Sequence, residues 1–215
     1  MSDTLSVEIW SDVVCPWCYI GKRRFEEGLA RFAELHPDVE VDVQYRAFML
    51  DPGAAVGRSE PVRDAYERKF GGPDAAEAII GRVTAEAAKE GLEFRMDIAQ
   101  RSNTLAAHRL LVLADRQGLQ AELKERLLAA YFTEGKAIGD VEVLVAEAAA
   151  VGIDAETARA WLDGDGGNTE VAEQLHGAVD RGITGVPSFV VDGGFPLPGA
   201  QDADVFVKVL ERHLT

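Results

Sequence analysis

Two cysteines, Cys15 and Cys18, constrain this chain most, because they are its only cysteines and stand three positions apart. The alternating segment 5–10 predicts a strand just before them, and a helical pattern begins at Pro16. A thiol at the first turn of a helix lies near free backbone N–H groups and the positive end of the helix dipole, which favour the thiolate. We therefore predict that Cys15 has the lower pKa and is the accessible sulfur, whereas Cys18 is shielded.

The cysteine pair has three candidate roles: a metal site, core packing or redox chemistry. A closed zinc site needs four ligands, and the sequence has neither a second cysteine pair nor a histidine near the first. We therefore expect no metal. A packing role stays open on two residues alone, but a strand followed by C-x-x-C and a helix is typical of thioredoxin-like redox proteins.

The charge and composition exclude several classes of partner. The chain has 215 residues, 47% of them hydrophobic, which is enough for one large or two small domains. Its formal net charge of −15 repels phosphate backbones and anionic membranes, so we expect neither nucleic acid nor membrane as a partner. The sequence contains neither a signal-like segment nor a spanning apolar run, and its few cysteines fit a reducing compartment; we expect a cytoplasmic protein.

The order of predicted elements places a helical block between two β-containing ends. Residues 1–50 predict β-α-β, and residues 168–215 predict a helix, a short hairpin and a last helix. From Pro61 to Gly182 helix caps and closing glycines recur, and no strand is predicted. We therefore predict an α/β domain, 1–50 plus 168–215, with residues 51–167 as an inserted helical domain. The predicted helices are 16–35, 73–91, 102–118, 120–135, 140–152, 154–164, 168–182 and 202–214.

A second signal lies at the other end of the chain, where Val186-Pro187 precedes the apolar segment 188–192. Only about 5–6% of X-Pro bonds are cis, so alone this would be an ordinary proline at the start of a strand. Together with the cysteine pair, it resembles the cis-proline loop of thioredoxin-fold oxidoreductases. We predict a cis bond packed against the pair, with the Val186 backbone available to an extended substrate.

The whole chain resembles the DsbA family, and specifically its cytoplasmic FrnE-like branch. The resemblance is carried by the cysteine motif, by Val186-Pro187 and by three further segments: 103–109 (NTLAAHR), 131–135 (YFTEG) and 198–201 (PGAQ). It implies a thioredoxin fold with a large all-helical insertion and thiol–disulfide oxidoreductase activity on protein or small-thiol substrates, with isomerase activity left open. It also implies that Cys15 is the nucleophile, Cys18 the resolving thiol and Pro187 the cis-proline, with Pro16, Trp17 and Val186 as substrate contacts.

Differences between this sequence and secreted members of that family leave a second class of enzyme open. Secreted DsbA oxidants carry a signal peptide and a histidine inside the cysteine pair, where this chain has Trp17. Kappa-class glutathione transferases and hydroxychromene-carboxylate isomerases share the helical insertion but typically have serine at the position of Cys15. No bound cofactor is required for the predicted exchange chemistry, but glutathione stays open as a reductant or ligand.

Two further residues are candidates for a supporting role. Asp12 stands three positions before Cys15, where it either tunes thiol protonation or simply ends the strand as a turn residue. His108 falls on an apolar helix face with Leu105 and Val112, which favours a core histidine over a site residue.

Overall fold

The computed structural model describes residues 4–214. Its main sheet has the strand order β2-β1-β5-β6, with β1 parallel to β2 and antiparallel to β5. Ile9 of β1 lies opposite Tyr45 on one side and Phe189 on the other. The strands are β1 (Thr4–Ser11), β2 (Glu40–Ala47), β3 (Ser59–Pro61), β4 (Gln100–Ser102), β5 (Ser188–Val191) and β6 (Leu197–Pro198).

The helices follow the predicted order, with one more near residue 62. They are α1 (Pro16–Leu35), α2 (Val62–Phe70), α3 (Pro73–Lys89), α4 (Leu105–Asp115), α5 (Gln120–Phe132), α6 (Val141–Ala150), α7 (Ala155–Asp163), α8 (Asn168–Asp180) and α9 (Ala203–Glu211). Most predicted helices ran one to three residues too far, because their caps and closing glycines were counted with them.

A small aromatic core joins the sheet to α1 and α9. The ring centroid of Phe25 lies 5.4 Å from that of Phe189 and 5.3 Å from that of Phe206. The helices can approach because α1 has Gly28 at the crossing: a Cβ there would stand 2.8 Å from the Ala203 carbonyl oxygen and 2.9 Å from the Phe206 Cβ. This packing fixes α1, and therefore its first turn, on the sheet.

The inserted segment packs around a core centred on the buried side chains of Leu110, Leu123, Leu127 and Phe132, and Tyr19 and Ile20 of α1 belong to the same core. The predicted α/β fold with a helical insertion is confirmed, but the insertion is not all helical. Strands β3 and β4 pair antiparallel within it, and α2 was not predicted as a separate helix. Strands of three residues are too short to show an alternating pattern. The division into 1–50 plus 168–215 and 51–167 stays a prediction.

Candidate redox site

The cysteine pair lies where β1 leads into α1. Cys15 is the N-cap of α1, and its carbonyl oxygen accepts hydrogen bonds from the backbone N–H groups of Cys18 (3.0 Å) and Tyr19 (3.4 Å). The two thiols are free, and both residues are buried, with 3% and 2% of their surface exposed. The predicted contrast between an accessible Cys15 and a shielded Cys18 is therefore small in exposed area.

The Val186–Pro187 bond is cis, as predicted. The Cys15 Sγ lies 3.6 Å from the Val186 carbonyl oxygen, so the proline loop covers the first cysteine. Gly21 allows α1 to approach this loop, because a Cβ on Gly21 would stand only 2.9 Å from the Pro187 Cγ. The proline loop near the C-terminal end of the sequence thus contacts the start of α1 at Cys15.

A cleft opens beside Cys15 between the cysteine pair and the inserted segment. Its volume is about 590 Å³, within the range of small-ligand sites. Cys15, Pro16, Trp17 and Val186 line it, and Cys18 does not. Side chains of the insertion supply most of the apolar wall: Val62, Ala65, Tyr66, Phe70, Ile79, Val83 and Tyr131.

The cleft is positively charged within an acidic protein. Its charged lining residues are Arg68, Lys69 and Arg101 against Asp51, a balance of +2, whereas the whole chain carries −15. Arg101 pairs with Asp51 and, at 2.6 Å, with Glu60, and Arg68 pairs with the same Glu60 at 2.6 Å, so the balance is +1 when Glu60 is counted. Lys69 lies 5.7 Å from the centroid of the Phe70 ring and has no ion pair within the described residues.

Trp17 stands half-buried at the edge of this cleft, between the two cysteines in sequence. The guanidinium of Arg82 lies 5.7 Å from the centroid of its indole ring, in cation–π range. All three predicted substrate-contact residues, Pro16, Trp17 and Val186, line the cleft; their contact with substrate stays a prediction.

Asp12 and His108 form a buried pair beside the cysteines. The His108 Nε2 lies 3.1 Å from the Asp12 Oδ1, and the residues are 2% and 0% exposed. The backbone N–H groups of Val13 and Leu50 also donate to Asp12, each at 2.8 Å. Burial alone would raise the pKa of Asp12, but the His108 contact and the Leu50 N–H outweigh it, so the pKa is lowered. His108 is thus a core histidine, as predicted, and it also holds the aspartate.

Lys124 on α5 is a third buried titratable group near the pair. Its side chain is 1% exposed, and within residues 4–214 its Nζ is the one buried side-chain nitrogen or oxygen without a hydrogen-bond partner. The Nζ lies 5.7 Å from the centroid of the Tyr45 ring. Asp12, His108 and Lys124 together are called the buried charged cluster below.

The prediction that Cys15 has the lower pKa is wrong. The pKa of Cys15 is raised, chiefly because its thiol hydrogen-bonds to Cys18 and because it is buried. Burial also raises the pKa of Cys18, but the hydrogen bond from Cys15, the charge of Lys124 and the Ser11 hydroxyl together lower it. The sequence argument considered only the helix dipole, and neither the hydrogen bond between the two thiols nor the buried cation from a distant helix.

Residues 4–214 contain neither a candidate metal-binding cluster nor a candidate membrane-spanning helix. No group of three or more His, Cys, Asp or Glu side chains lies close enough together to hold a metal ion. No helix there is both long and apolar enough to cross a membrane.

A parallel β1–β2 pair extended by an antiparallel hairpin, with paired cysteines at the start of α1 facing a cis-proline, defines a thioredoxin-fold oxidoreductase. The chain belongs to the family described as the DSBA-like thioredoxin domain, whose model matches residues 6–211. It is therefore a thiol–disulfide oxidoreductase of the DsbA family, as the sequence predicted. The FrnE-like branch stays a prediction.

The chain is also similar to individual proteins. The structure of SCO1869 from Streptomyces coelicolor, described as a probable DsbA oxidoreductase, is 38% identical with a TM-score of 0.90, covering 97% of this chain and 89% of its own. The uncharacterised protein YwbO of Bacillus subtilis is 27% identical over 96% of both chains. The cytosolic disulfide reductase DsbM of Pseudomonas aeruginosa is 19% identical with a TM-score of 0.67, covering 97% and 98%.

Proposed function

We propose that this protein exchanges disulfides through Cys15 and Cys18, with Cys15 as the nucleophile and Cys18 as the resolving thiol. One observation carries the proposal: Cys15 lines the cleft beneath the cis-proline loop, whereas Cys18 does not line it. A substrate disulfide in the cleft can therefore reach the Cys15 sulfur first. The raised pKa of Cys15 does not oppose this, because a proton that passes from Cys15 to the Cys18 thiolate moves the negative charge to Cys15.

The proposed reaction proceeds in two exchange steps. The Cys15 thiolate attacks one sulfur of a substrate disulfide R–S–S–R′, forms a Cys15–S–S–R mixed disulfide and releases R′–S⁻. Cys18 loses its proton and attacks the Cys15 sulfur, which releases R–S⁻ and leaves the Cys15–Cys18 disulfide. Two electrons have then passed from the pair to the substrate. Two molecules of a thiol such as glutathione return the pair to its reduced form and are themselves oxidised to a disulfide.

The cleft supports a low-molecular-weight anionic disulfide as one substrate. Its apolar walls can hold an aliphatic or aromatic portion, and its net positive lining attracts carboxylates. Glutathione has this anionic character, and the DsbM structure from Pseudomonas aeruginosa has also been determined with GSH. We also propose protein disulfides as substrates, with the half-buried Val186 of the proline loop as the contact for an extended segment.

We place this activity in the cytoplasm. The support is the likeness to DsbM, which is described as cytosolic, together with the small number of cysteines in this chain.

The test is turnover of oxidised glutathione and of insulin disulfides with a thiol donor, compared between the parent and Cys15→Ser. We expect exchange in the parent and none in the variant. The glutathione-dependent alternative, a kappa-class transferase or a hydroxychromene-carboxylate isomerase, predicts instead that conjugation or isomerisation occurs and survives Cys18→Ser. Either activity in the parent without disulfide exchange would overturn the proposal.

A further inference from the structure

Tyr131 on α5 presents to the cleft a hydroxyl that no protein group binds. Its side chain belongs to the core of the inserted segment and is 2% exposed, with its ring 4.7 Å from that of Phe132 and nearly perpendicular to it. The hydroxyl makes no hydrogen bond within residues 4–214, yet the one fully buried side-chain oxygen or nitrogen without a partner there is the Lys124 Nζ. The Tyr131 oxygen therefore keeps some accessible surface, and because Tyr131 lines the cleft, we place that surface inside the cleft.

The charged side chains of the cleft differ from Tyr131 in being paired or open to water. Arg101 and Arg68 share Glu60, each at 2.6 Å, and Lys69 is exposed. Ordinary solvent or a protein carboxylate already satisfies these groups. Tyr131 is nearly enclosed by protein, so its hydroxyl depends on whatever occupies the cleft.

Two further hydroxyls line the cleft and are less dependent on its contents. The Ser102 Oγ lies 2.9 Å from the Ser59 Oγ and 3.2 Å from the Gln100 carbonyl oxygen, so it is bound within the protein. The Tyr66 hydroxyl makes no hydrogen bond in the described part of the chain, but Tyr66 is half-buried and more open to water. Tyr131 is therefore the hydroxyl of the cleft that most requires a ligand.

An unbound hydroxyl in a largely apolar wall is unfavourable, because it has given up hydrogen bonds to water without gaining one in the protein. Such groups in folded proteins call for a functional explanation or a bound molecule. Burial raises the pKa of Tyr131 above its ordinary value, so the hydroxyl keeps its proton and can donate it in a hydrogen bond. What the cleft must supply is an acceptor.

The proposed exchange reaction produces an acceptor on the side of the cleft where Tyr131 lies. A thiolate attacks in line with the S–S bond that breaks, so the second sulfur of the substrate departs on the side away from Cys15. The wall on that side belongs to the inserted segment, and Tyr131 is part of it. A cleft of about 590 Å³ has the size that holds a single small ligand, so a substrate that reaches Cys15 also reaches this wall.

We infer that Tyr131 is a catalytic residue whose hydroxyl donates a hydrogen bond to the substrate sulfur that leaves when Cys15 attacks. This rests on the proposed role of Cys15. The Cys15 thiolate forms the Cys15–S–S–R bond, the S–S bond of R–S–S–R′ breaks, and its electron pair stays on R′–S⁻, which accepts the hydrogen bond. The phenol keeps its proton, and R′–S⁻ leaves as the thiolate. The inserted segment thus supplies a group that acts on the reacting atoms.

The test is the rate at which two different disulfides consume the reduced protein, measured by rapid mixing, quenching and mass spectrometry in the parent and in Tyr131→Phe. Oxidised glutathione releases a basic alkyl thiolate, and we expect its rate to fall about tenfold, as for the loss of a hydrogen bond to a charged group. The aromatic disulfide dithiobis(nitrobenzoate) is also anionic, but its thiolate is a much weaker base and leaves readily without help. Its rate should fall by at most about twofold.

The comparison of the two disulfides decides the inference. An equal fall for both, or an unchanged rate with glutathione disulfide, would overturn the role of Tyr131. A parent protein that reacts with neither disulfide would instead reject the proposed function, and this role with it. The equilibrium of the pair with a glutathione buffer should stay within about twofold of the parent, because the hydroxyl acts on the leaving group; a tenfold change would mean that Tyr131 acts on the resting pair, contrary to the inference.

Tyr19→Phe is the matched control, because Tyr19 is equally buried in the same core but does not line the cleft, and its hydroxyl lies 2.7 Å from the Glu125 Oε1. Removing that bound hydroxyl should lower the melting temperature by about 2–4 °C and change the two exchange rates by the same factor. Tyr131→Phe should melt within about 1 °C of the parent, since its hydroxyl has no partner in the protein to lose. A fall in melting temperature as large as in Tyr19→Phe would mean that the Tyr131 hydroxyl serves the fold, and would contradict the inference.

Discussion

The two sides of the cysteine pair differ in their openness, in the polarity of their walls and in their charged groups. On the Cys15 side lies an open cleft with apolar walls and a positive lining. On the Cys18 side lies the buried charged cluster, of which His108 and Lys124 line a cavity too small for water. Both environments are built largely by the inserted segment, the cleft by α2 and α3 and the cluster by α4 and α5. The insertion therefore contributes side chains to both sides of the pair.

This contrast predicts that substitutions on the two sides affect different measurements. Changes in the cleft should alter KM and leave the redox equilibrium of the pair unchanged. Changes in the buried charged cluster should alter that equilibrium, the pH dependence or the stability, with little effect on substrate preference.

The sharpest expected difference is between the cysteines themselves. Cys15→Ser removes the sulfur that lines the cleft, and disulfide exchange should fall at least about a thousandfold, because a serine hydroxyl is a far weaker nucleophile at neutral pH. Cys18→Ser leaves attack possible but removes the resolving thiol, so mixed disulfides with substrate should accumulate. Mass spectrometry of the trapped adducts checks both; stable adducts found only in Cys15→Ser would reverse the roles.

Within the buried charged cluster, substitution of Asp12 should cause the largest loss in the free energy of unfolding. Asp12→Ala leaves His108 and two backbone N–H groups without their acceptor, and we expect a loss of about 3–5 kcal/mol in the free energy of unfolding. Denaturant unfolding of the oxidised protein measures it.

The pH dependence of that loss has a definite sign. The pKa of Asp12 is lowered from its ordinary value of 3.8, so its stabilising effect is complete above that value and is lost as the pH falls through the folded-state pKa. The gap between the parent and Asp12→Ala should be widest near neutral pH and should narrow in acid below 3.8. A gap that widens in acid would contradict the charged state assigned to Asp12.

Two glycines on α1 provide a matched comparison of fold and site. Gly28→Ala meets the Ala203 carbonyl oxygen and should lower stability by about 1–3 kcal/mol without changing the exchange rate of the folded protein. Gly21→Ala meets Pro187 and Ala200, so it should displace the proline loop and slow exchange several-fold as well. Unfolding curves and stopped-flow exchange rates separate the two; equal rates in both variants would show that the approach of α1 to the loop does not matter for the reaction.

The smallest expected effect concerns Lys69, the cleft cation without an ion pair in the described residues. Lys69→Gln should raise KM for an anionic disulfide about two- to fivefold, leave KM for a neutral disulfide unchanged and leave the glutathione equilibrium of the pair unchanged. The same KM change for neutral and anionic substrates would show that Lys69 acts through packing.

The sequence predicted the parts of the site that are local along the chain. Helix α1 was predicted within its observed bounds because Pro16 opens it and Pro37 follows its end. The cis bond at Pro187 was predicted from its resemblance to a known loop. The missed parts depend on contacts between distant segments: β3 and β4 are short strands that pair across about forty residues.

Lys124 was missed for the same reason, although a signal was present. It lies on the same helix face as Leu127, Leu128 and Tyr131, all of them buried, and a lysine on an apolar face is unusual. What the spacing cannot show is that this face of α5 approaches Cys18. The error in the order of the two cysteine pKa values follows directly from that missing contact.

The positive cleft in an acidic chain has a consequence for how reaction rates depend on ionic strength. An anionic substrate far from the protein experiences the repulsion of the −15 net charge, and near the cleft it experiences the positive charge of the lining residues. The distant repulsion acts beyond the Debye length of about 8 Å in physiological salt and is screened first. The association rate of an anionic disulfide should therefore rise as the first salt is added and fall when further salt screens the cleft itself, whereas a neutral disulfide should show neither change.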